Sequence, residues 1–155
     1  MRRIIFLLAL SLTVAGCSMK QEEVIKLVTN GESGYTIVIP QNAAPQEVRA
    51  ASFLRDHIRK ISGAQLPVVS SGEPLPEKVI YISSGPEIEP VDGFSVTTTG
   101  NKLIIKGGNQ RGCIYAVSEL LERYLGVRWY SPDYAVIPQQ SSITLPAIGI
   151  TGSSP

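Results

Sequence analysis

The clearest hydrophobic pattern in the chain predicts a helix that ends at Gly63. Its apolar side chains are three or four residues apart and therefore share one helical face. They are Val48, Ala51, Leu54, Ile58 and Ile61. Asn42 is a candidate N-cap, Pro45 lies in the first turn, and glycine commonly follows the last helical turn. This segment is therefore expected to pack one face on a hydrophobic core.

A second amphipathic helix is predicted after the turn at Gly107 and Gly108. Its apolar positions are Ile114, Val117, Leu120, Leu121 and Leu125, and they again form one face. Gly126 supplies the expected stop.

Runs of β-forming residues predict strands before, between and after the two helices. They cover residues 24–28, 35–39, 66–69, 78–83, 94–99, 102–106, 127–130, 134–137 and 143–145. The run 79–82 is almost wholly apolar, as in a central strand covered on both faces. Gly100 and Asn101 join two runs and tolerate the positive φ of a tight hairpin turn. This order predicts an α+β fold, a two-layer sandwich in which a mixed β-sheet carries two main helices on one face.

The first sixteen residues have the layout of an export signal. Arg2 and Arg3 precede an apolar stretch at residues 4–10, and small residues follow. The run Val-Ala-Gly-Cys at residues 14–17 resembles the lipobox of bacterial lipoproteins, which implies cleavage before Cys17 and lipidation of that residue. The charge-free stretch is too short for a transmembrane helix, which needs roughly 20 apolar residues. We therefore expect a protein of the bacterial cell envelope, held to the membrane by a lipid anchor and facing the periplasm or the cell exterior.

One domain is expected between a tether and a tail. Removal of residues 1–16 from the 155-residue chain leaves 139 residues, enough for one domain with one core. Residues 17–34 are mainly polar and predict a tether, and residues 35–146 predict the folded domain. Residues 147–155 are rich in glycine and serine and predict a loose tail or a linker to a further domain. Without the two arginines of the signal, 12 basic residues balance 13 acidic ones, so nucleic acid is not an expected partner.

The sequence offers few residues of the kinds that catalytic or metal sites require. The single histidine, His57, lies in the charged first helix and is interpreted as a surface or boundary residue. A catalytic triad or a zinc site is therefore not favoured. With Cys17 lipidated, Cys113 has no disulfide partner and is interpreted as a small buried residue. No cofactor and no metal are predicted.

Two further patterns are better explained by structural roles than by catalysis or ligand binding. Glu119 and Glu122 share one helix face near Arg123, whereas glycosidases place carboxylates on both sides of the scissile bond. We interpret the pair as part of a solvated face. The loop at residues 107–112 lacks the lysine and hydroxyl of a phosphate-binding loop, which leaves Arg111 a structural hydrogen-bonding role.

Aromatic residues are concentrated late in the chain. They are Tyr115, Tyr124, Trp129, Tyr130 and Tyr134. Such side chains fit three uses: core packing, a contact surface for another domain, or a platform for sugar rings. The sequence leaves all three open.

Several short runs together resemble a domain of carbohydrate enzymes. Arg-Gly-Cys-Ile-Tyr-Ala-Val starts at residue 111, Leu-Leu-Glu at 120 and Leu-Gly-Val-Arg-Trp-Tyr at 125. Ile-Ser-Gly at 61, Leu-Pro at 66 and Asp-Gly-Phe at 92 precede them. Over residues 35–145 this order is similar to the N-terminal, non-catalytic domain of family 20 β-N-acetylhexosaminidases and of α-glucuronidases. Cys113 departs from the pattern, because that family more often has a small or hydroxyl-bearing residue there.

The resemblance implies that the catalytic carboxylates belong to a (β/α)₈ barrel, in cis or in trans, and that this chain carries no catalytic residue. The residues expected to contact that barrel or a glycan are Arg111, Trp129, Tyr130 and Tyr134. The leading hypothesis is a non-catalytic accessory domain of a surface-anchored glycoside hydrolase, truncated before its barrel or encoded separately. The alternative is a stand-alone carbohydrate-binding surface lipoprotein. A third hypothesis, a minimal enzyme, depends on Glu119, Glu122 or Asp133.

Overall fold

The computed structural model describes residues 24–70, 74–88, 92–108, 111–131 and 133–153. The predicted export signal and the lipidation residue Cys17 lie outside these ranges. Within them, no helix combines the length and apolar character needed to cross a membrane.

A six-stranded mixed sheet forms the centre of the fold. Its strands are β2 (Thr36–Ile39), β3 (Val68–Ser70), β4 (Val79–Ser84), β5 (Gly93–Thr99), β6 (Lys102–Gly107) and β10 (Gly149–Ser153), in the order β10-β5-β6-β4-β2-β3. β2 runs parallel to β3 and β4, and β4 runs parallel to β6. β5 runs antiparallel to both β6 and β10. The predicted mixed sheet is therefore confirmed, with β4 in its interior as expected.

Both helices cover the same face of this sheet. They are α1 (Pro45–Ser62), which follows β2, and α2 (Gly112–Arg123), which follows β6. Ile37, Ile80 and Leu103 lie side by side in register across β2, β4 and β6, and all three are fully buried. Together with the apolar helix faces they form one core. The predicted α+β two-layer sandwich is confirmed.

The start of α1 differs from the prediction. Its N-cap is Ala44 rather than Asn42, and the backbone N–H of Ala44 donates to the carboxylate of Glu47 at 2.6 Å. Glu47 thus caps the helix from within its first turn. Glu47 and Ala50 extend the buried stripe, which leaves Val48 on the flank of the helix and 44% exposed. The prediction that Val48 is a core residue is wrong for this reason.

The ends of the described chain are more ordered than the sequence predicted. β1 (Ile25–Val28) pairs antiparallel with β9 (Ile143–Leu145), and its apolar side chains are buried. The strand expected near residues 24–28 is therefore present, and the folded domain begins before residue 35, within the range assigned to the tether. Residues 149–153 are not a loose tail, because they form the edge strand β10. Thr98 fixes the start of this strand: its Oγ1 accepts a hydrogen bond from the backbone N–H of Ile148 at 2.8 Å.

Two glycines shape the connections around β6. The β5–β6 hairpin turns at Gly100, whose φ is +55°, as the sequence predicted for a tight turn. Gly112, the first residue of α2, lies so close to β6 that an added Cβ would be 2.8 Å from the Cα of Gly107. A side chain at Gly112 would therefore push α2 away from the sheet.

Candidate functional site

A cleft lies between α1 and a small hairpin, which consists of β7 (Arg128–Ser131) and β8 (Tyr134–Val136). Its volume is about 340 Å³. Its walls include Phe53, His57 and Lys60 from α1 and Trp129, Asp133 and Tyr134 from the hairpin segment. We call this feature the hairpin cleft.

Trp129 joins the hairpin to α1. Its ring stacks on Phe53 with a centroid distance of 6.3 Å and an interplanar angle of 21°. The ring of His57 lies 4.3 Å from that of Phe53 and 6.1 Å from that of Trp129, tilted against both. Trp129 is partly buried and packs against the core. These contacts give the cleft a rigid aromatic wall.

Tyr130 and Tyr134 form a second aromatic pair on the outer side of the hairpin. Their ring centroids are 5.9 Å apart, and the residues are 70% and 60% exposed. Only Tyr134 of this pair lines the cleft. The hairpin therefore offers solvent an aromatic surface that the core does not use.

His57 is more buried than the sequence predicted. It is 6% exposed, so a surface or boundary position is wrong, because the hairpin covers this side of α1. Its Nδ1 lies 2.8 Å from the carbonyl oxygen of Phe53. A carbonyl only accepts, so Nδ1 carries the proton and Nε2 is the acceptor of the neutral ring. Among the described residues, Nε2 has no hydrogen-bond partner.

Two charged side chains complete the polar part of the hairpin cleft. Lys60 and Asp133 stand on its opposite walls, one on α1 and one at the hairpin turn. Within the described part of the chain neither of them forms an ion pair. The backbone carbonyl of Lys60 accepts a hydrogen bond from Nε2 of Gln139 at 2.8 Å, which ties the segment after β8 to α1. The cleft thus combines aromatic surface with one donor group and two acceptor groups.

The four residues expected to contact a barrel or a glycan do not all come together. Trp129 and Tyr134 line the cleft, and Tyr130 stands beside Tyr134. Arg111 immediately precedes α2, whereas the hairpin follows it. A helix of 12 residues is about 18 Å long at 1.5 Å per residue, so Arg111 lies far from the other three.

Sequence reasoning missed Phe53, His57 and Lys60 as parts of the site. These residues follow one another at spacings of four and three, so they share one side of α1 beside the buried stripe. That spacing was the one feature of the sequence that indicated a shared surface for these three residues. It became meaningful only once the hairpin was known to fold back onto this side of the helix.

Two of the three acidic residues considered for a minimal enzyme lie beside arginines. Glu119 forms an ion pair with Arg123 at 2.9 Å, and Glu122 approaches Arg128 at 3.9 Å. The prediction of a solvated helix face is confirmed for both, since their side chains are 32% and 52% exposed. Among the described residues, no group of three or more histidines, cysteines, aspartates or glutamates is placed to hold a metal ion.

Cys113 is a small buried residue, as predicted. Its Sγ donates to the carbonyl oxygen of Ser83 at 3.1 Å. Burial, with a smaller contribution from the negative charge of Glu47, raises the pKa of this thiol to about 12. Cys113 is therefore a neutral thiol at physiological pH and a poor nucleophile.

A larger concavity, of about 600 Å³, lies elsewhere, over the turn between β1 and β2. Lys26, Glu32 and Lys78 line it, and its one aromatic residue, Tyr35, is buried in the core. Burial raises the pKa of Tyr35, so its hydroxyl stays protonated at physiological pH. This concavity has charged walls but lacks the exposed aromatic surface of the hairpin cleft, which we regard as the better site.

Solved structures of several glycoside hydrolases contain a similar fold. A family GH115 4-O-methyl-alpha-glucuronidase with specificity for decorated arabinogalactans gives a TM-score of 0.59 at 16% identity, over 84% of this chain and 18% of that enzyme. The N-acetyl-beta-hexosaminidase of Streptomyces plicatus gives 0.54 at 20% identity, over 84% and 23%. An inactive mutant of the GH20 exo beta-N-acetylglucosaminidase of Vibrio harveyi gives 0.52 at 14% identity, over 86% and 18%.

This chain shares its fold with one part of each of these three glycoside hydrolases. At these identities the likeness concerns the fold alone, and the chain spans about a fifth of the length of each of the three enzymes. No protein-family model and no curated protein sequence matches the chain.

Proposed function

We propose that this protein is a non-catalytic accessory domain that works with a glycoside hydrolase in glycan breakdown. The observation that carries the proposal is the pattern of coverage: the shared fold takes in 84 to 86% of this chain but only 18 to 23% of the three enzymes. The remaining four-fifths of each enzyme lies outside the likeness. In the proposal, a (β/α)₈ barrel, in cis or in trans, supplies the catalytic carboxylates.

The placement of acidic side chains supports a non-catalytic role. Glycoside hydrolysis uses two carboxylates that flank the scissile bond, roughly 5 to 10 Å apart. Glu119 and Glu122 lie on the surface of α2 beside arginines, whereas Asp133 stands alone among carboxylates in the wall of the hairpin cleft. Among the described residues, this arrangement gives Asp133 no second carboxylate in the lining of the hairpin cleft.

The proposal is tested by asking where hydrolytic activity resides. An antibody raised against the chain would be used to recover it from the cells that produce it, and fluorogenic glycosides would be offered to both the recovered material and the purified chain. We expect hydrolysis by the recovered material and none by the chain alone. Turnover by the purified chain that is lost in Asp133→Asn and kept in the exposed control Asp56→Asn would contradict the proposal.

We further propose that Cys17 anchors the protein to the bacterial envelope. The support is the lipobox-like run at residues 14–17 behind an apolar stretch. Labelled palmitate fed to expressing cells should appear in the chain and should be lost in Cys17→Ala, while Cys113→Ala keeps the label. Equal labelling of wild type and Cys17→Ala would exclude an anchor at this residue.

A stand-alone carbohydrate-binding surface lipoprotein is the second candidate function. The exposed pair Tyr130 and Tyr134 favours it, because tyrosine and tryptophan are enriched at binding surfaces. The recovery experiment separates the two functions. A chain recovered without any hydrolase would favour the stand-alone protein.

A further inference from the structure

We infer that the hairpin cleft binds a single pyranose ring of a glycan. For the class of ligand, this inference rests on the proposed function. Its site and its contacts come from the cleft itself: an exposed aromatic ring at Tyr134, a stacked aromatic wall at Trp129, and three polar groups in the lining.

The aromatic part of the cleft suits the apolar face of a sugar. One face of a pyranose presents axial C–H groups, which carry partial positive charge and pack on the electron-rich face of an aromatic ring. Tyr134 is 60% exposed and is steadied by Tyr130 at a centroid distance of 5.9 Å. Trp129 stacks on Phe53 and packs against the core. A bound ring therefore meets surfaces that need little ordering.

The polar part suits hydroxyl groups, which both donate and accept. In the neutral form of the His57 ring, Nε2 accepts; the carboxylate of Asp133 also accepts, and the ammonium group of Lys60 donates. A phosphate would be repelled by Asp133, and a purely apolar ligand would leave all three groups without partners. A polyol satisfies both kinds of group at once.

The size of the cleft limits the ligand. Its volume of about 340 Å³ lies at the lower end of the roughly 300 to 1,000 Å³ typical of small-molecule sites. One sugar ring fits this space, and a longer glycan would extend past Tyr134 into solvent. For so few contacts we expect a Kd on the order of 1 mM.

Trp129 makes the inference directly testable, because it is the only tryptophan in the chain and lies in the cleft wall. The purified chain would be titrated with N-acetylglucosamine, galactose and glucuronic acid while tryptophan fluorescence is recorded. Mannitol, a linear polyol, serves as the control for nonspecific effects. We expect a saturable change with at least one of the three sugars and none with mannitol.

Two matched pairs of variants localise the binding. Tyr134→Ala should weaken it about tenfold or more, whereas Tyr81→Ala, a partly exposed tyrosine of β4 outside the cleft, should weaken it less than twofold. Lys60→Met should weaken it, and Lys102→Met, on an exposed position of β6, should not. Circular dichroism and thermal melts of each variant verify folding. No saturable change with any sugar, or equal losses in Tyr134→Ala and Tyr81→Ala, would overturn the inference.

The outcome is distinguishable from a failure of the proposed function. If the chain binds sugar but is recovered without a hydrolase, the inference about the hairpin cleft stands and the proposed accessory role is excluded. If the chain is recovered with hydrolase activity but does not bind sugar, the proposed accessory role stands and sugar binding in the hairpin cleft is excluded.

Discussion

Replacement of Glu47 by alanine should weaken the fold far more than replacement of a surface glutamate. Glu47 is 4% exposed, and its carboxylate accepts three hydrogen bonds. They come from the backbone N–H of Ala44 at 2.6 Å, the backbone N–H of Ser84 at 2.5 Å and the hydroxyl of Ser84 at 2.7 Å. One side chain thereby joins the start of α1 to the end of β4.

The expected cost follows from the donors that lose their acceptor. The hydroxyl of Ser84 can rotate to a new partner, but the two backbone N–H groups are fixed. A buried donor left unsatisfied costs about 1 to 3 kcal/mol. Relief from burying a carboxylate offsets part of this loss. We therefore expect Glu47→Ala to lower the free energy of unfolding by about 2 to 4 kcal/mol.

Urea denaturation followed by circular dichroism measures this difference. Glu119→Ala is the control, because its ion pair with Arg123 is partly exposed and such surface pairs contribute less than about 1 kcal/mol. Glu47→Gln adds a second check, since its amide offers one acceptor oxygen in place of two and should recover only part of the loss. Equal stabilities of Glu47→Ala and Glu119→Ala would refute this account of the junction between α1 and β4.

Three further predictions concern α2. Gly112→Ala should destabilise the fold by about 1 to 3 kcal/mol, because its Cβ would meet the backbone of Gly107. The control is Gly149→Ala, whose Cβ would have nothing within 4 Å and which should change the stability by less than about 0.5 kcal/mol. Equal melting temperatures of the two variants would contradict this prediction. In a Cys17→Ser background, iodoacetamide should not alkylate Cys113 at neutral pH until urea unfolds the chain, and rapid alkylation of the native protein would refute its burial. The pKa of the Cys113 thiol rises from 9.0 to about 12 on folding, so the neutral thiol's contribution to stability is complete below pH 9 and is lost as the pH approaches 12. The urea midpoint should therefore fall over this interval, and by less in Cys113→Ala.

Hydrophobic spacing predicted the main elements because each of them buries a regular face. Ala51, Leu54, Ile58 and Ile61 all lie in the core on α1, and the apolar run at residues 79–82 lies in the interior strand β4. These positions need only local periodicity to be recognised. The fold class followed from the order of such elements.

Long-range contacts decided the features that local patterns did not reveal. Glu47 is charged and reads as a surface residue, yet Ser84, far along the chain, supplies the donors that allow its burial. Residues 149–153 have the composition of a linker, but the free edge of β5 gives them hydrogen-bonding partners. Gly152 lies against the ring of Phe94, where a side chain would collide with it.

Because the site also depends on long-range contacts, the sequence predicted only part of it. Trp129 and Tyr134 were recognised by residue type, since exposed aromatic residues mark contact surfaces. His57 was missed because its neighbours on the cleft wall come from a hairpin more than 70 residues later in the chain. Only the tertiary fold brings these groups to within about 6 Å.

The most direct test of the central claim is the DNA sequence beyond codon 155, translated in all forward frames together with the neighbouring genes. The account predicts a barrel-length coding sequence with paired acidic residues, either continuous with this chain or adjacent to it. Absence of any such sequence would contradict the role as an accessory domain of a glycoside hydrolase and would favour a stand-alone binding lipoprotein.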